Sequence, residues 1–123
     1  MLKTIILAMV VLSACTNINF DAGEYDRYIT IKQLADNSVS MCGSPELLKN
    51  VIELKKYMDH QYLYAINRTS RPQLQNAAKN LKQLIDETYY RTKPGDQSIT
   101  YCQYKLKHVS DSTDIIIKVL GGM

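Results

Sequence analysis

From Ile99 to Leu120 the apolar and near-apolar residues fall at Ile99, Cys102, Leu106, Val109, Thr113, Ile116 and Leu120. Their spacings alternate between three and four without a break. A backbone with 3.6 residues per turn gathers such positions on one side, so this stretch reads as one continuous amphipathic α-helix. Gly121-Gly122 end it. A lone amphipathic helix is marginal in water, and the rest of the chain must supply surfaces that cover its stripe.

Three further segments offer them. Segment A runs from about Glu24 to Met41, with Tyr28, Ile31, Leu34, Ala35, Val39 and Cys42 near helical spacing, and Gly43 stops it. Its Tyr28-Ile29-Thr30-Ile31 stretch has the chemistry of a strand, which competes with the helical reading. Segment B opens on Ser44-Pro45-Glu46: a capping hydroxyl, a proline suited to the first helical position and an acid in the first turn. Leu47, Val51, Leu54, Met58, Tyr62 and Ala65 follow at threes and fours, and the pattern ends near Asn67. Segment C starts at Ser70-Arg71-Pro72-Gln73, where Ser70 and Gln73 match a capping box. Its stripe is Leu74, Ala77, Leu81, Leu84 and Thr88, widened by Ala78 and Ile85, before the turn Lys93-Pro94-Gly95-Asp96. With Ile99–Leu120 as segment D, the expected fold is all-α: a small antiparallel four-helix bundle over residues 24–123.

The N-terminus has a different logic. Met1-Leu2-Lys3 precedes the apolar run Ile5 to Leu12, then Ser13-Ala14-Cys15. One cation, a short apolar stretch and a small-residue exit describe a secretory signal peptide. The run is shorter than the roughly 18 apolar residues a membrane-crossing helix needs. Leu12-Ser13-Ala14-Cys15 resembles the bacterial lipobox. That resemblance implies removal of residues 1–14 and lipidation of Cys15, the only cofactor-like group expected. Several acyl chains anchor stably where one does not. The plainer alternative is a chance cysteine behind an ordinary signal peptide. Thr16, rather than Asp, follows the cysteine, which by the same analogy favours the outer membrane, facing the periplasm. Residues 15–23 read as the lipidated Cys15 and a short tether; the eight residues from Thr16 to Gly23 reach at most about 28 Å.

With Cys15 assigned, Cys42 and Cys102 remain in an oxidising compartment, and an even pair there reads as a disulfide. The alternative is two buried free thiols. In an up-down-up-down bundle the end of A and the start of D lie at the same end, so the pair would close the bundle.

Catalytic chemistry is hard to find. His60 and His108 sit on different segments without a local second ligand, so no metal site is expected. Asp111 with Asp114, and Asp86 with Glu87, have the ordinary spacing of a solvated helix face. There is no glycine-rich phosphate loop. An enzyme is not expected, nor a small-molecule substrate. A formal net charge of +3 on 123 residues is too small to suggest nucleic acid as a partner.

Tyrosine is the unusual ingredient: nine, with no tryptophan. Tyr57, Tyr64, Tyr101 and Tyr104 fall off the best apolar stripes, as does Ile115. Exposed aromatics supply contact area with a polar tip and are enriched at protein interfaces. With Tyr28 they are the candidate partner-binding residues, and a groove that accepts a partner helix is the mode a bundle most readily offers. The competing reading is that each tyrosine rims the core with its hydroxyl wet.

The lipobox, the short tether, four helices and a bridge from the end of the first to the start of the last together resemble the PulS/OutS-type pilotins of bacterial type II secretion systems. The residues carrying the resemblance are Leu12-Ser13-Ala14-Cys15, the stretch Leu34 to Cys42, and Thr100-Tyr101-Cys102-Gln103. The resemblance implies binding of a C-terminal segment of the secretin, which folds as a helix against the bundle, and delivery of that cargo to the outer membrane. It also suggests a groove lined from the first and last helices, with tyrosines at its rim. Two other lipoprotein classes fit the same layout. One is a plasmid- or phage-encoded exclusion or inhibitor lipoprotein that blocks another envelope protein. The other is a phage outer-membrane spanin subunit, against which the absence of proline from the tether counts.

Overall fold

The computed structural model describes residues 21–67 and 71–122. Cys15, the expected signal peptide and the tether up to residue 20 lie outside them. Four helices follow one another: α1 (Ala22–Val39), α2 (Leu47–Asn67), α3 (Pro72–Thr92) and α4 (Ile99–Gly121). Each packs on its chain neighbours and α1 also packs on α4, so the four form an antiparallel ring. The α1–α4 seam is the most extensive, then α2–α3, then α1–α2, and the α3–α4 seam is the slightest.

Local chemistry sets the ends. The Asp21 carboxylate accepts a hydrogen bond from the Glu24 amide at 3.1 Å, so α1 starts at Ala22, inside the expected tether. The strand-like Tyr28–Ile31 stretch is helical because Tyr28 and Ile31 then face the core together, and burial outweighs local preference. Helix α1 ends at Val39, and a turn carries the chain to Gly43, whose φ of +87° favours glycine. A Cβ there would also lie 3.0 Å from the Ile99 side chain, which starts α4. Ser44 accepts a hydrogen bond from the Glu46 amide at 3.2 Å, as a capping residue should, and the regular helix begins at Leu47. Arg71 occupies the N-cap of α3 without a side-chain cap bond, and Ser70 of the expected capping box lies outside the described residues.

The core is the sum of the four stripes. Ile31, Leu54, Met58, Ile85, Leu106 and Leu120 are among its fully buried members. In α4 the sequence register holds from Cys102 to Leu120, whereas Ile99 is exposed at its start. In α3 the buried line is Leu74, Ala78, Leu81, Ile85 and Thr88; Ala77 and Leu84 are only half-buried beside it. Buried threonine hydroxyls are satisfied within their own helices: Thr88 donates to the Leu84 carbonyl and Thr113 to the Val109 carbonyl, at 2.8 and 2.6 Å.

The ring is closed covalently. Cys42 and Cys102 form a disulfide with a Cα–Cα distance of 5.9 Å, joining the turn after α1 to the first turn of α4. A crosslink over a 60-residue separation removes chain entropy from the unfolded state worth about 4 kcal/mol, a large part of the 5–15 kcal/mol that holds a typical domain. Mass spectrometry of the non-reduced protein should therefore link Cys42 to Cys102. A reductant should lower the melting temperature steeply; a transition that does not move on reduction contradicts the closing role.

Candidate functional site

Three of the four seams carry denser fastening than the fourth, α3–α4, which has one ion pair and one cation–aromatic contact across it among the described residues. The α1–α4 seam has the disulfide and, further along, Lys32, whose ammonium lies 2.9 Å from Asp36 and 3.2 Å from the Ser110 hydroxyl. Ser110 also donates to Asp36. The α2–α3 seam holds a square of charges: Lys55 and Lys82 each contact both Asp59 and Asp86, at 2.6 to 3.3 Å. Each ammonium also sits 5.8 Å from a ring centroid, Lys55 from Tyr89 and Lys82 from Tyr62.

On the α1–α2 seam the polar groups go inside. Gln61 is fully buried and its Oε1 accepts from Arg27 Nε at 2.5 Å. The Arg27 guanidinium lies 4.6 Å over the Tyr64 ring, and the Tyr64 hydroxyl donates to Asp21. Gln61 Nε2 and Arg27 Nη2 have no partner, a cost this seam carries for holding α1 to α2 at one end.

The fourth seam is open. Between α3 and α4 runs a hollow of about 410 Å³ floored by Leu81, Leu84 and Ile116, with Ala77, His108 and Ile115 on its walls. A second hollow of about 590 Å³ continues towards the disulfide end, among Glu87, Tyr90, Arg91, Tyr101 and Lys105. Glu87 lines both. The one ion pair across this seam is Lys105 to Glu87 at 3.3 Å, among the described residues. From Ala77 to Arg91 is fourteen residues of helix, about 21 Å. Leu84 and Ala77 explain the groove: α3 has an apolar face one residue wider than α2 and α4 together cover.

The candidate partner-binding residues divide. Tyr101 and Ile115 line this seam, and Tyr104, 64 % exposed, stands one turn from His108 on the same helix with their rings 6.2 Å apart. Tyr57 is exposed on the α1–α2 side, where it lines a separate hollow with Arg27 and His60. Tyr64 is tied to Asp21 and Arg27 at that seam. Tyr28 must be corrected outright: it is 1 % exposed and belongs to the core. Burial pushes its phenol up to about 12, outweighing the opposing influence of the nearby Gln61 amide and the charge of Arg27, so it stays protonated. The hollow described here shares only the last helix with the expected groove along the first and last helices, which make the most extensive seam of the bundle. Sequence reading passed over Leu84, Arg91 and Lys105; the signal was the doubled stripe, Ala77 and Leu84 beside Ala78 and Ile85.

Nothing among the described residues gathers three or more His, Cys, Asp or Glu side chains as a metal site. No described helix is long and apolar enough to cross a membrane.

The fasteners carry a pH signature. Burial acts to raise the Asp86 pKa, but hydrogen bonds from Lys82 and Lys55 outweigh it and hold the carboxyl below its ordinary value. A lowered folded pKa contributes stability that is present above the unfolded carboxylate value, about 3.9, and lost as pH falls through the folded value. Acid titration of the melting temperature should show a fall beginning near pH 4, and Asp86→Asn should flatten it. The contribution of such a half-exposed network is about 1 kcal/mol or less. An unchanged acid profile in Asp86→Asn contradicts the assignment.

No protein-family model matches this sequence, and no curated protein and no solved structure matches it with significance.

Proposed function

We propose that this chain is an outer-membrane lipoprotein of the pilotin kind. Held by acyl chains on Cys15, it binds the C-terminal segment of a secretin as a helix and assists the targeting and assembly of that subunit in the outer membrane for type II secretion. The observation that carries the reading is the hollow along α3–α4, the slightest seam of the bundle. Its apolar floor and length of about 21 Å suit one amphipathic helix of four turns, which would complete the coverage that α4 leaves unfinished on α3. Leucine-sized anchors contribute about 1.5–3 kcal/mol each when fully buried. Two or three of them are needed before association costs of several kcal/mol are overcome.

The anchor suits the same task. Six residues separate Cys15 from Ala22, and the seven chain steps between them reach at most about 25 Å. Helix α1 starts at the end of the bundle where Gly121 approaches the Tyr25 ring, the end opposite the disulfide. A tether this short keeps the groove, and whatever helix it holds, close to the membrane surface. The chemistry is adhesion and transport: no bond is made or broken.

Two measurements decide it. Cys15→Ser should release the protein from the membrane fraction and abolish acyl labelling. The mature domain lacking Cys15 should bind a C-terminal peptide of the secretin encoded in the same genome. No binding, together with a secretin that still reaches the outer membrane when the gene is deleted, contradicts the proposal.

A further inference from the structure

The α3–α4 groove is chemically polarised along its length. The half nearer the N-terminus of α3 has an aliphatic floor of Leu81, Leu84 and Ile116, rimmed by the uncharged Asn80, Gln83 and Ser112 and by His108. The half at the disulfide end is cationic and aromatic. There the Arg91 guanidinium lies 5.6 Å from the centroid of the Tyr101 ring, and the Lys105 ammonium 5.8 Å from the same ring. Glu87 is the only acid lining that half, 3.3 Å from Lys105, with its side chain 52 % exposed. Arg91 makes no ion pair among the described residues. Two cations therefore share one carboxylate.

Their arrangement favours a ligand. Contact with one aromatic ring restrains both cationic side chains before anything binds, so less side-chain entropy is lost on pairing. A guanidinium takes a carboxylate through two parallel hydrogen bonds. Cations near a helix C-terminus also meet the negative end of its dipole, whereas near an N-terminus they would oppose it. Helix direction follows: a docked helix places its C-terminus at the disulfide end and runs parallel to α3. The 93–98 connection between α3 and α4 lies just beyond Arg91 and Tyr101, at the head of the seam. A chain that stops there need not climb over it.

Resting on the groove reading above, we infer that the occupant is the last helix of a partner chain, about fourteen residues long. Aliphatic side chains lie over Leu84 and Ile115, and its terminal carboxylate is held by Arg91 and Lys105 above Tyr101. Leu84 and Ile115 supply affinity; Arg91 and Lys105 supply direction and register.

Fluorescence anisotropy tests this, using a peptide of the last twenty residues of the secretin encoded in the same genome, labelled at its N-terminus, and the mature domain without Cys15. Ile115 is 64 % exposed, so Ile115→Glu leaves the core intact; it should weaken binding at least tenfold in 50 mM and 300 mM salt alike. Arg91→Glu should weaken it about tenfold in 50 mM salt, with most of the difference gone at 300 mM as screening shortens. Arg91→Lys, which keeps the charge but loses the two-bond fork, should weaken binding by less than Arg91→Glu, and amidating the peptide's C-terminus should cost the wild type as much as Arg91→Glu does. Melting curves matched to wild type show that the variants are folded. If Arg91→Glu or the amidated peptide binds as the unmodified pair does, while Ile115→Glu does not, the terminal-carboxylate inference is overturned and the groove reading stands. If the wild type does not bind the peptide, the groove reading falls and this inference falls with it.

Discussion

A ring of four helices made from one chain has one seam that sequence proximity does nothing to assemble: the seam between the first helix and the last. Here that seam is α1–α4, and it is both the most extensive in the bundle and the one closed by the Cys42–Cys102 disulfide. The crosslink acts mainly on the unfolded chain, which loses the freedom to keep its two ends apart. Once α4 is fixed to α1 by Cys102 at one end and by Ser110 near Asp36 and Lys32 further along, it no longer depends on α3 to stay in place. The slight contact between α3 and α4 is tolerable for that reason.

An uncovered seam has a cost, since apolar surface left in water forgoes about 25 cal/mol per Å². Leu84 and Ala77 on α3 and Ile115 on α4 forgo it at adjacent positions, while Lys55, Asp59, Lys82 and Asp86 hold the opposite edge of α3 firmly to α2. The bundle thus presents one rigid, partly apolar groove rather than a loose face. Rigid helices on both walls suit recognition, because little ordering remains to be done when a partner helix arrives.

Much of this was legible from residue spacing. Segment D was read nearly residue for residue, because a 23-residue helix with a clean three-four alternation leaves only its exposed first residue, Ile99, ambiguous. The disulfide followed from counting cysteines once Cys15 was set apart. In segment C the spacing finds Leu74, Leu81 and Thr88 in the core, but Ala78 and Ile85 are buried and Ala77 and Leu84 lie at the edge, since Leu84-Ile85 and Ala77-Ala78 offer two adjacent apolar lines and spacing alone cannot say which one faces inward. Tyr28 fits both segment A's apolar stripe and a binding surface, because tyrosine has both an apolar body and a polar tip. Burial beside Gln61 and Ile31 is decided by tertiary packing. Gln61 itself was invisible as a core residue: its carbonyl partner, Arg27, is 34 residues away. The groove could not be located from sequence because it is a deficit of coverage, a property of how helices meet.

The central claim is that the open α3–α4 seam is the binding surface. Methyl-labelled NMR of the mature domain, titrated with the unlabelled C-terminal peptide of the co-encoded secretin, tests it most directly. The largest shifts are expected at the methyls of Leu84, Ile115 and Ile116, with those of Ile31 and Leu54 nearly still. Shifts concentrated instead on α1, at Ile29 and Leu34, with the α3–α4 methyls unmoved, would contradict it.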